Sequence, residues 1–234
     1  MKIMAAEYGF QGFIAAVDAV AIGGNPITSA GGATLLETIK TSKLKTIDIG
    51  KPLPLQEPYE SDTLDLSNAK MDPGHIVILS WWLATDAAAA IARLVLNGNM
   101  ITNYGKDLSG LTALCDVLPA LKNPISLELA NCNLKVAEVN ELARAMAAGG
   151  ALTSVNCLHN PLGEGVHIII KVFEETPRLR TLCGFEEGVE QIDWSKSGKG
   201  PADVALLAAD LKAGRAIGAV TSINCLHNPL GEAV

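Results

Sequence analysis

Apolar residues along this chain recur in two rhythms that alternate. In Leu152-Thr-Ser-Val155-Asn-Cys157-Leu-His-Asn160-Pro-Leu162 they fall at the first, fourth, sixth and eleventh positions, with asparagine at the ninth. A polar residue between two apolar ones predicts a short strand with one buried face. The same template fits Val17, Val20, Ile22, Asn25 and Ile27, and again Ile91, Leu94, Leu96, Asn99 and Ile101. Leu127, Leu129, Cys132 and Leu134 match with cysteine at the ninth position, and Val220, Ile223, Cys225, Asn228 and Leu230 match in full. Weaker copies fall at Leu64, Leu66 and Met71, and at Val189, Ile192 and Trp194. Between the strands the spacing changes to three and four. Leu108, Leu111, Leu114, Cys115, Leu118 and Leu121 would form one face of a helix, as would Val136, Val139, Ala143 and Met146, and Val204, Leu207, Ala208 and Leu211. Pro73 and Pro201 sit where helices would begin, because a first-turn N–H has no intrahelical acceptor to lose. The predicted unit is strand, turn, helix, turn.

Nine residues are written twice. Asn156 to Glu164, "NCLHNPLGE", recurs as Asn224 to Glu232, 68 positions later. A longer duplication also shows: with an offset of 128, Asp65 aligns with Asp193, Ser67 with Ser195, Pro73 with Pro201, Leu79 with Leu207 and Leu83 with Leu211. Two stretches break the rhythm and resemble each other, 43 to 67 and 178 to 195. Each offers two strand-like runs joined by a Pro- or Gly-containing connector instead of a helix.

The pattern LxxLxLxx(N/C)xL resembles the leucine-rich repeat. Spacings of 28 to 33 residues between the fourth positions of neighbouring good copies resemble its ribonuclease-inhibitor-like subclass. The resemblance implies an α/β leucine-rich-repeat solenoid, a horseshoe with a parallel concave sheet and convex helices, over residues 17–234 after an N-terminal cap segment 1–16. It also implies that Asn25, Asn99, Cys132, Asn160 and Asn228 form a structural ladder, their side chains meeting backbone groups left open where each strand turns. The third, fifth and seventh positions would point to the concave face, with the eighth at its rim. That selects Arg93, Asn97, Glu128, Asn156, Leu158, Asp193, Asn224 and Leu226, with His159 and His227 at the rim, as candidate partner-binding residues. Of the types that dominate interface energetics, only Arg93 is among them.

Composition narrows the function. With 18 basic and 25 acidic residues the net charge is -7, and no Lys/Arg-rich run offers a footprint for nucleic acid or anionic lipid. The most apolar run, His75 to Leu96, is interrupted by Asp86 and Arg93, which argues against a membrane span. Five cysteines without a CxxC pair fit free thiols in an intracellular, reducing compartment. Cys157-x-His159 and Cys225-x-His227 carry zinc-ligand types. Strands two or three apart would separate the pairs by about 10–14 Å, too far for one tetrahedral ion. "SGKGPAD" at 197 to 203 lacks the spacing of a phosphate loop, and neither His75 nor His167 has a nucleophile or carboxylate at a motif distance. No metal, cofactor or catalytic residue is therefore assigned. Trp81 and Trp82 read as helix packing, but they point about 100° apart on a helix, which leaves one of them able to reach the surface.

These readings lead to the expectation of a non-enzymatic protein-binding or scaffold module. The alternative is a structural subunit packed permanently in a large assembly. Because the sequence stops after a strand and before its helix, a longer chain or a covering partner is also expected.

Overall fold

Nine strands and six α-helices succeed one another over residues 17–231, which are the residues described by this computed structural model. The expected cap segment, residues 1–16, lies outside them. The elements run β1 (Ala19–Ala21), α1 (Thr28–Thr41), β2 (Thr46–Asp48), β3 (Pro52–Pro54), β4 (Thr63–Asp65), α2 (Pro73–Leu83) and β5 (Arg93–Val95). Then come α3 (Ser109–Val117), β6 (Ile125–Glu128), α4 (Val136–Ala147), β7 (Leu152–Asn156), α5 (Gly165–Glu175), β8 (Gln191–Asp193), α6 (Pro201–Ala213) and β9 (Ser222–Asn224). The fold is mixed α/β with a parallel sheet.

The central sheet has the order β4-β5-β6-β7, all parallel, so chain order and spatial order coincide. Its register aligns the fourth positions: Leu64 lies beside Leu94, Leu94 beside Leu127, and Leu127 beside Val155. Those four residues are wholly buried, and so are Leu96, Leu129 and Cys157 at the sixth position. Apolar residues of α2 to α5, among them Leu79, Leu114, Leu142 and Ile169, join them in one continuous core. Helix α2 is apolar on nearly every side because α1 and α3 flank it. Trp82 is buried and donates its indole N–H to the Pro54 carbonyl at 2.7 Å, while Trp81 is half-buried.

At the eighth position of every unit the backbone is left-handed. Gly24, Asn68, Gly98, Asn131, His159, Lys196 and His227 all have φ between 53° and 74°. The strand must leave the sheet at that point, and the left-handed region is the short way to reverse the chain. Glycine and asparagine bear that conformation easily, whereas His159, Lys196 and His227 carry its cost. Beside it, the ninth-position amides bind backbone. Asn160 accepts the N–H of Cys132 and of Leu134, each at 2.9 Å, and donates to the Leu129 and Cys157 carbonyls. Asn99 accepts from Met71 and donates to Leu66 and Leu96, and Asn228 accepts from Lys199 and donates to Trp194 and Cys225. Cys132 points its thiol at the Leu96 carbonyl, 3.2 Å away, and exposed Asn25 bonds only to Ile22 and Gly23 of its own turn.

The strands do not form one sheet. They form three, with β1-β2-β3 before the central sheet and β8-β9 after it, and the breaks fall at the two irregular stretches. In the first, β3 pairs antiparallel to β2, a departure from the all-parallel expectation. Its residues Pro52 and Pro54 lack N–H groups, which confines β3 to a sheet edge. In the second, residues 180–183 run along β7: Val155 donates to Thr181, Cys157 to Leu182, and Arg180 to Thr153. The buried face of α6 also differs from expectation. Asp203, Leu206, Leu207 and Asp210 face inward, while Ala208 and Leu211 face solvent. Two aspartates share the inner face because each serves an adjacent segment, as described below.

Candidate partner-binding face

The side chains opposite the core on β5, β6 and β7 build one polar network. Glu128 is buried, and its carboxylate accepts from the Asn156 amide at 2.7 Å and from Arg93 Nη2 at 3.3 Å. Arg93 Nη1 reaches the exposed Glu186 at 3.3 Å, and Arg93 Nε has no acceptor. The guanidinium is thus held by its tips, with its side chain 43% exposed although Nε itself is buried. Asn97 is half-buried and accepts the N–H of Ala130 at 2.7 Å, which ties the ends of β5 and β6 together.

A strap, residues 183–188, lies against this network. Cys183 bridges to Asn156 antiparallel, and a Cβ at Gly184 would meet Asn156 Cβ at 2.9 Å and Glu128 Oε2 at 3.1 Å. The strap is anchored at its far end by ion pairs of Glu186 with Arg93 and Glu187 with Arg180. At its near end Asp210 accepts from the Thr181 hydroxyl at 2.5 Å and from the N–H groups of Leu182 and Cys183. Burial raises the Asp210 carboxyl above the usual carboxylate range, and those hydrogen bonds oppose the rise. Glu128 and Leu158, expected on an open face, are both buried. Part of that face is occupied by the chain itself.

The remaining candidates lie apart from this cluster. Asp193 and Asn224 face each other across the β8–β9 pair, where each caps the N–H two residues onward, Ser195 at 2.8 Å and Leu226 at 3.1 Å. The hydrogen bonds from Ser195 hold the Asp193 carboxyl below the usual range. Leu226 is 64% exposed and His227 is exposed. His159 is also exposed, yet its Nε2 lies 2.5 Å from Lys199 Nζ, and its backbone N–H donates to Asp203 at 2.7 Å.

The sequence patterns missed Glu186, Gly184, Lys199 and Asp203. For the first two the only signal was the irregular "GFEEG" connector. For Lys199 it was the offset of 128, which sets this lysine against Met71.

Burial pushes the thiols of Cys115, Cys132, Cys157 and Cys183 up, Cys115 to about 12 and Cys132 to about 11, so they stay protonated at neutral pH and are poor nucleophiles. His75, buried, takes a structural place: Nδ1 lies 2.7 Å from Asp72 and Nε2 3.2 Å from the Ile22 carbonyl. Among the described residues no group of three or more His, Cys, Asp or Glu side chains could hold a metal ion. No described helix is long and apolar enough to cross a membrane. No protein-family model matches this sequence, and no curated protein is significantly similar to it.

Proposed function

We propose that this chain is a leucine-rich-repeat solenoid of the ribonuclease-inhibitor-like kind, and that its work is to bind another protein. The observation that carries the reading is the parallel register of β4 to β7, in which the fourth-position residues of successive units lie side by side and every unit turns at a left-handed eighth residue. A unit of that kind buries its apolar face only against its neighbours, so the row has an extended outer surface and invests little of it in a cleft. The partner site we favour is the part of the strand face left open by the strap: the exposed part of the Arg93 side chain, flanked by exposed Asp65 and half-buried Ser126 and Ser154. Arginine in such a setting is a common hot spot, and the small residues around it admit a partner's side chains.

Crosslinking mass spectrometry in the source cell, followed by affinity capture with the wild-type chain and with Ser126→Arg and Asp65→Arg, tests this. The expected result is a protein crosslinked to the β4–β7 face and captured less efficiently by both variants, with their thermal midpoints unchanged. Capture insensitive to both substitutions, or crosslinks confined to the helices, would refute the assigned face.

A further inference from the structure

The second break in the sheet is spanned by side chains. Between β7 and β8 the ladder stops. The β8–α6 portion is joined to what precedes it by Asp210 on the Thr181–Cys183 segment, by Arg215 on the carbonyls of Phe173, Thr176 and Leu179, and by contacts of Lys199 and Asp203 with the turn after β7. Lys199 is the unexpected member. It aligns with Met71 at the offset of 128, and the backbone roles match: Met71 donates its N–H to Asn99 and Lys199 donates its N–H to Asn228, both at 3.0 Å. Met71 fills that core position with a thioether; Lys199 puts a cation there and is itself buried. Its ammonium lies over the Trp194 ring, 4.8 Å from the centroid, and Trp194 stacks on Phe185. Its remaining contact is His159 Nε2. Lysine has no acceptor capacity while charged, so the imidazole must accept, with its proton on Nδ1.

We propose that His159 is an acid-sensitive latch: its neutral ring accepts a hydrogen bond from Lys199 and helps hold the β8–α6 portion against the turn after β7, and protonation of the ring breaks that contact and loosens the portion. Protonation removes the acceptor lone pair and sets a second cation against the buried ammonium. The groups facing the pair are few. Asp203 comes from the first turn of α6 and already accepts from the backbone of His159 and Gly200; Cys183, from the segment beside β7, lies behind Lys199. One carboxylate cannot neutralise two cations. Partial desolvation of its ring holds His159 below the usual histidine range and Lys199 reinforces this, with Asp203 opposing. For a histidine whose folded value is depressed, the contact's contribution is complete above the unfolded value of about 6.5 and is lost as pH falls from there toward the folded value. The first break carries methionine at the equivalent position, so the latch belongs to the second break alone.

The chain contains its own control. His227 occupies the same place in the same nonapeptide, with the same left-handed backbone at φ 60° against 58° for His159, but it is exposed, and no lysine among the described residues hydrogen-bonds to it. Histidine NMR titration of the whole chain, with amide hydrogen exchange corrected for intrinsic rates, provides the test. His159 is expected to titrate below the usual histidine range. Protection of residues 191–213 is expected to fall several-fold relative to the β4–β7 sheet between pH 7 and pH 5. His159→Asn keeps a residue suited to the left-handed turn, as Asn131 and Asn68 show, and should abolish that acid-dependent loss. Lys199→Met restores the Met71 arrangement and should abolish it too, while His227→Asn should leave it intact. His159 titrating within or above the usual histidine range, or an undiminished acid response in His159→Asn, would overturn the proposal. The Asn variant decides the matter even if Lys199→Met does not fold.

Discussion

Asp72 Oδ2 accepts the backbone N–H of Thr28 at 2.8 Å, joining two residues 44 positions apart across the first break in the sheet. The same oxygen accepts from Ile27 at 2.7 Å, while Oδ1 caps α2 through Gly74 and His75. One carboxylate thus starts a helix and ties it to the preceding unit. At the second break Asp203 repeats the arrangement, accepting from Gly200 at the start of α6 and from His159 in the unit before. Asp72→Ala should destabilise the chain by about 2–4 kcal/mol, since it removes an N-cap and leaves partly buried N–H groups without an acceptor. Urea unfolding monitored by far-ultraviolet circular dichroism would read this directly.

Acid should weaken the same joint. Burial alone would raise the Asp72 carboxyl, but hydrogen bonds from Thr28 and His75 and the charge of His75 outweigh it, and the net shift is downward. A depressed carboxylate contributes stability that is present above its unfolded value of about 3.9 and disappears as pH falls through the folded one. Wild-type and Asp72→Asn unfolding free energies, compared between pH 6 and pH 2, should therefore converge below pH 4.

Helices α1 and α2 meet through bare backbone. A Cβ at Gly74 would lie 2.0 Å from the Thr28 carbonyl oxygen, and one at Gly32 would lie 2.4 Å from the Gly74 oxygen. Gly31, one residue away in sequence, has nothing nearer than 3.7 Å. Gly74→Ala should cost about 1–3 kcal/mol through forced separation of the helices. Gly31→Ala should stabilise by about 0.5–1 kcal/mol, because alanine is the better helix former on an exposed turn. Differential scanning calorimetry of the two variants should show midpoints moving in opposite directions.

The ninth-position amides differ in burial, and their removal should cost accordingly. Asn160→Ala strands two N–H groups and two carbonyls in the core, for roughly 3 kcal/mol. Asn25→Ala loses only exposed, local bonds and should cost under about 1 kcal/mol. Thermal unfolding of both variants under one buffer condition checks the ordering.

Thiol labelling at pH 8 should proceed in two steps. Cys225 is half-buried, whereas Cys115, Cys132, Cys157 and Cys183 are buried. One thiol should react within minutes and four only at the rate of unfolding. Rapid labelling of more than one would contradict the burial of the file of cysteines.

The strands and helices of the central region were legible in the sequence because their signal is local and repeated: Leu94, Leu96 and Asn99 state the template, and Leu127, Leu129 and Cys132 state it again. The breaks were visible as lost periodicity, but not their structure. Whether Leu53 pairs parallel or antiparallel depends on the prolines on either side of it and on what Ile47 offers as an edge, a relationship no period encodes. The inner face of α6 was misplaced because apolarity stood as the sole mark of burial. Asp203 and Asp210 are buried for their hydrogen bonds, and their acceptors' partners lie 27 to 44 residues away. The strap escaped notice for the same reason: Glu186 meets Arg93 across 93 residues. Of the candidate face, the positions came from the template, while their openness depended on this long-range contact.

The most direct test of the repeating parallel sheet is measurement of scalar couplings across its hydrogen bonds by NMR on the whole, isotopically labelled chain. Couplings are expected from the nitrogen of Leu66 to the carbonyl carbon of Val95, from Leu96 to Glu128, and from Leu129 to Asn156, each reaching the next unit in the same direction. Couplings that run in antiparallel order between these strands, or link units that are not neighbours, would contradict it.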